Sequence, residues 1–125
     1  MKKLMLIVLM FPIIASAQEM QFVIEKLCLS TGEGIDFKCR SESQKFTLLR
    51  DGNKFTGINR NGESQRLTVL ESTPNITVLN IPVAYDGIST LTLTSSFNEF
   101  YWVEISYSTV FNQRSVSVQS GRRLR

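Results

Sequence analysis

Apolar and polar residues alternate with a period of two along most of the chain, the spacing of strands that cover one face. In STLTLT (89–94) Leu91 and Leu93 are predicted inward, with Thr90, Thr92 and Thr94 outward. IDFKCR (35–40) puts Ile35, Phe37 and Cys39 on a predicted core face and Asp36, Lys38 and Arg40 on the other. The last run, 115–120, reads as Val116 and Val118 inward, with serines and Gln119 outward. Along 99–111 the odd positions Tyr101, Val103, Ile105, Tyr107 and Phe111 form an apolar face broken by Thr109, and are taken as the core side. ITVLNIPV (76–83) is apolar on both parities, as a strand covered on both sides would be; Pro82, which cannot donate to a ladder, marks either an edge position, making this the candidate edge strand, or the strand's end.

Turn residues separate these runs. TGEG (31–34), Asp51-Gly52-Asn53, Asn61-Gly62, Ser72-Thr73-Pro74-Asn75 and Asp86-Gly87 supply residues that tolerate positive φ or stop a ladder. No stretch repeats apolar residues at helical spacing over three turns. The prediction is an all-β domain: a small antiparallel β-meander of eight or nine strands, curled into a closed or partly open barrel, with a two-layer sandwich as the alternative.

The first 17 residues stand apart. Lys2 and Lys3 precede an apolar run and then Ala15, Ser16 and Ala17, the three parts of a secretory signal peptide of bacterial type. The apolar run is shorter than the roughly 20 residues that span a bilayer. Residues 1–17 are therefore read as a leader and 18–125 as one exported domain, periplasmic or secreted, with no transmembrane segment after cleavage. A transmembrane barrel fits poorly, because Asp36, Lys38, Arg40 and Arg66 are predicted outward and most strands fall short of about nine residues.

Export changes the reading of the two cysteines. An oxidising compartment favours a disulfide between Cys28 and Cys39. A turn centred on residues 32–34 sets them opposite each other, stapling the first hairpin from its core side. The short loop gives at most about 3 kcal/mol in the chain-entropy account. Loss of Lys2 and Lys3 lowers the formal charge from +3 to +1, which removes the main argument for a nucleic-acid partner.

The composition then excludes chemistry. The chain has no histidine, hence no Ser-His-Asp or Cys-His constellation and no usual zinc site. Glu99 and Glu104 are the densest acidic pair, but an odd spacing on one strand points them to opposite faces. No phosphate-binding glycine loop is present. The expectation is a protein that is not an enzyme and carries neither cofactor nor metal.

Binding remains. FNEFYWVEISY (97–107) holds five of the chain's twelve aromatic residues, including its only tryptophan. With the odd positions as core, Phe100, Trp102 and Glu104 become the candidate partner-binding surface. In the tail GRRLR (121–125), Arg122, Arg123 and Arg125 are either a contact for an anionic surface or a frayed terminus.

In size, export, single disulfide and meander the chain resembles periplasmic lysozyme inhibitors and small immunity or exclusion proteins. The likeness is of architecture, and no inhibitor motif is present to carry residues over. It implies a monomer that binds a protein partner in the envelope or outside the cell. The alternatives are a structural envelope subunit assembling through edge strands and, with least support, a carboxylate-dependent hydrolase.

Overall fold

A computed structural model describes residues 18–32, 36–59 and 61–125; the leader and Ile35 lie outside the described residues. Eight strands follow one another: β1 (Gln18–Thr31), β2 (Lys38–Asp51), β3 (Lys54–Ile58), β4 (Ser64–Ser72), β5 (Ile76–Ile81), β6 (Gly87–Thr94), β7 (Glu99–Ser108) and β8 (Gln113–Arg123). Each pairs antiparallel with the next and β8 pairs with β1, closing an all-β barrel and ruling out the sandwich. The turns alternate between two ends. The β1–β2, β3–β4, β5–β6 and β7–β8 connections sit at what we call the upper end.

The predicted turns form where their residues allow. Asp51 pairs with Lys54 across Gly52-Asn53, with Gly52 at φ 62°, and Gly62 turns at φ 79°. There the Asn59 side chain accepts hydrogen bonds from the Asn61 and Glu63 N–H groups, both at 2.9 Å.

Residues directly opposite in a ladder share a face, so one fully buried side chain orients its neighbours across the sheet. Leu91 and Leu93, 1% and 0% exposed, point inward as expected. They pair with Trp102 and Phe100, which therefore point inward too. The buried cluster joins them to Met20, Phe22, Ile24, Leu48, Phe55, Leu67 and Leu79. Its centre is aromatic: Phe46 stacks on Phe22 at 5.1 Å, and Phe100 meets Phe46 edge-on at 4.9 Å. Phe97 and the Arg50 guanidinium, 4.9 Å from its ring, sit over the lower end.

Four expectations are corrected by this register. On β7 the core side is even-numbered: Phe100 is fully buried, whereas Tyr101, Ile105 and Tyr107 are exposed and Phe111 is 78% exposed in the following turn. β8 inverts with it, because Gln119 pairs with Trp102 and Val118 with Val103; Ser115, Ser117 and Gln119 face in, and Val116 and Val118 face out. β5 is no edge, being bonded to β4 and β6 on its two sides. Finally, Cys28 does pair with Cys39 and is bonded to it, but the disulfide lies on the outer face, in the row of Val118 and Val103. Register shifts between Ile24 and Lys26 turn the upper half of β1 over and put Cys28 outward, while β2 keeps its even positions inward, so Phe37 and Cys39 are exposed and Lys38 and Arg40 share the inner face with Leu29 and Leu27.

The chain end is part of the ring rather than frayed. The Arg123 N–H donates to Asn98 O and the Leu124 N–H to Gln21 O, both at 2.8 Å. At this seam Gly121 is squeezed: a Cβ there would come within 1.9 Å of the Val23 carbonyl oxygen and 2.9 Å of the Phe100 ring. Backbone has to move before any side chain fits. Gly121→Ala is expected to cost about 2–4 kcal/mol, measured as a lower urea midpoint, while Gly52→Ala in the open β2–β3 turn costs less.

Candidate functional site

β7 divides the candidate residues between two environments. Its inner row runs Phe100, Trp102, Glu104 from the packed lower half toward the upper mouth. The first of these is 0% exposed and cannot meet a partner without unfolding the barrel. Trp102 is half-buried and packed on the core, edge-on to Phe46 at 5.8 Å. Both aromatics, expected in solvent, are interior because Leu91 and Leu93 face them across the β6–β7 ladder.

The polar atoms of this row are joined in a chain. Trp102 Nε1 donates to Ser89 Oγ at 2.8 Å, and Ser89, itself 0% exposed, donates to Glu104 Oε2 over a long 3.5 Å. The Tyr85 hydroxyl, arriving from the β5–β6 connection, donates to Glu104 Oε1. A buried indole N–H or serine hydroxyl without a partner would cost roughly 1–3 kcal/mol, and this chain satisfies both. Nothing in the sequence marked Ser89 or Tyr85, because neither has a motif; they are brought to Glu104 by the β6–β7 pairing and by the loop that precedes β6.

Desolvation pushes the Tyr85 phenol up to about 12 from its ordinary 10, and the hydrogen bond to Glu104 and that residue's charge add to the effect. Glu99, by contrast, is exposed on the outer face, so the two glutamates do not converge. Among the described residues no group of three or more His, Cys, Asp or Glu comes together as a metal site.

The outer row of β7 is where large apolar side chains meet water. Ile88 of β6 is 61% exposed and pairs with Ile105, 43% exposed, which pairs in turn with Val116. Tyr101 and Tyr107, 46% and 43% exposed, flank this line. The disulfide closes the patch on the β1 side, through the row Val103, Val118, Cys28. Among the described residues, charges that border the patch include Arg114, Lys26, Glu99 and Arg122. The parity assigned to β7 from sequence alone hid this face by treating it as core.

The C-terminal arginines Arg122, Arg123 and Arg125 line one shallow depression. Arg122 lies on the outer face with Nε 3.2 Å from a Glu25 carboxylate oxygen, Arg123 follows on the opposite face, and Arg125 donates to the Asn98 side chain at 3.0 Å. Glu25 and Glu99 line the same shallow depression, which mixes the charge there.

Two measurements check the inner row. Phe100→Ala is expected to cost about 3–5 kcal/mol in denaturant unfolding, as a buried aromatic does. In an ultraviolet titration Tyr85 should ionise near pH 12, and Glu104→Gln should move that step down toward 10 while leaving the part of the shift that desolvation causes. Because the folded value is the raised one, the associated stability is complete below pH 10 and is lost as pH rises through 12.

No known protein family, curated protein or solved structure matches the chain.

Proposed function

We propose that this protein is a binding module that acts as a monomer outside the cytoplasm, docking a protein partner through the outer face of β6, β7 and β8. The observation that carries the reading is the exposed line of Ile88, Ile105, Tyr101 and Tyr107, which neighbour one another on the outer face of β6 and β7. Contiguous apolar surface of this kind is uncommon on a protein with no use for it. Its make-up is that of an interface: tyrosines and branched aliphatics at the centre, charges at the rim.

Location outside the cytoplasm is supported by the leader pattern of residues 1–17 and by the bonded pair Cys28–Cys39. No helix among the described residues is long and apolar enough to cross a membrane. An inhibitor, immunity or exclusion role suits a rigid domain whose contact face is preformed, since little has to be ordered on binding. Docking through β7 also leaves the packed inner row undisturbed. Assembly through β5 is the weaker reading, because both sides of that strand are already paired.

The test uses residues 18–125 immobilised and exposed to an envelope or culture fraction of the source cells. Wild type is expected to retain a specific protein, and Ile105→Asp to lose it at least tenfold while unfolding within about 0.5 kcal/mol of wild type, as surface changes do. Retention that survives both Ile105→Asp and Tyr101→Ser sinks the reading. Concentration-dependent self-association that the same substitutions abolish would make this a contact between copies instead.

A further inference from the structure

The upper mouth of the barrel holds a cavity of about 320 Å³, separate from the outer face of β7. Its floor is Trp102, Phe46, Leu48 and Leu91, and its rim is the β3–β4 turn with Glu63. It exists for a reason that can be located: Gly57 of β3 faces inward opposite Leu48 and brings no side chain. A Cβ at Gly57 would touch only Leu67, at an ordinary 3.7 Å, so the space beside it is open.

The chemistry of the walls defines what would fit. Leu48 and Leu91 are each 1% exposed and fixed in the core, so the floor is preformed. The one polar atom of the indole is already committed to Ser89, and the floor therefore offers apolar surface and no hydrogen bond. At the rim the Gln65 amide is also committed, donating to Pro82 O at 2.8 Å. Among the described lining residues Glu63 is the single ionisable group, and it takes no part in the Arg40–Glu42 and Arg122–Glu25 ion pairs, which lie elsewhere on the barrel. Its backbone is pinned by hydrogen bonds to Asn59 at 2.9 and 3.0 Å, which holds the turn at the cavity edge.

We infer that this mouth is a binding site for a small aromatic or branched apolar molecule with a cationic amine end, the apolar body seated on Trp102 and Phe46 and the ammonium directed to Glu63. The volume equals about ten waters of bulk liquid, space for one ring and a short chain. It falls at the small end of ligand pockets and has their composition, apolar walls with a few polar groups that set orientation.

Phenethylamine is the probe, with 3-phenylpropionate as the oppositely charged counterpart. Trp102 is the only tryptophan, so one indole N–H resonance in a nitrogen-15 spectrum reports on the floor. Phenethylamine is expected to shift it saturably with a Kd of about a millimolar or tighter, and the acid to bind at least about fivefold more weakly. Glu63→Gln, an exposed turn substitution, should make the two probes equal. Gly57→Val should abolish both while the spectrum stays dispersed. Absence of a saturable shift, equal binding of amine and acid to wild type, or undiminished binding in folded Gly57→Val each overturns the inference.

Discussion

The ring depends on the place where Phe100 lies over the bare backbone of Gly121. β1, β7 and β8 meet there, with the Val23 carbonyl on the other side, in a gap too narrow for one methyl group. An aromatic covering a strand glycine restores the packing that the glycine gives up. It also anchors the parity of the surrounding sheet: with Phe100 inward, Trp102 and Glu104 follow inward and Tyr101, Ile105 and Tyr107 follow outward. The seam thus decides which surface the protein shows.

Much of the fold was legible in the chain. The two-residue turn at Gly52-Asn53, the inward Leu91 and Leu93, and the pairing of Cys28 with Cys39 rest on local signals, namely positive φ, strict alternation and equal distance from a turn. The faces of β7 and β8 were not legible from local pattern, because both sides of β7 begin with large apolar residues. What settles them is the count of residues between β6 and β7. Leu93 opposes Phe100 across a connection in which Ser96 and Phe97 hold positive φ, 60° and 54°, without any glycine to announce it. One residue more or fewer would have turned every side chain over.

The misreading of β8 has a second cause. An inner face is expected to be apolar, yet Ser115, Ser117 and Gln119 point inward. They occupy the upper half, where the barrel is incompletely walled: the ladder from β2 to β3 covers only residues 47–51 of β2, leaving its upper part unflanked on that side. Water reaches this half, so polar side chains suit it, and the exposed charges of Lys38, Arg40 and Lys45 on the unflanked stretch discourage pairing with another chain. The candidate site inherits this division. Its aromatic end is held in the dry half, its carboxylate in the wet one, and Ser89 joins them.

The closure of β8 onto β1 also has a consequence for how the molecule is made. Phe22 and Arg123 are partners although a hundred residues lie between them, and a contact of that span carries a large loop-closure cost before it returns any stabilisation. The hairpins of the meander can form early, each from neighbouring residues. The cylinder itself is completed only by β8, so a growing chain would remain an open, edge-bearing sheet until that strand had emerged.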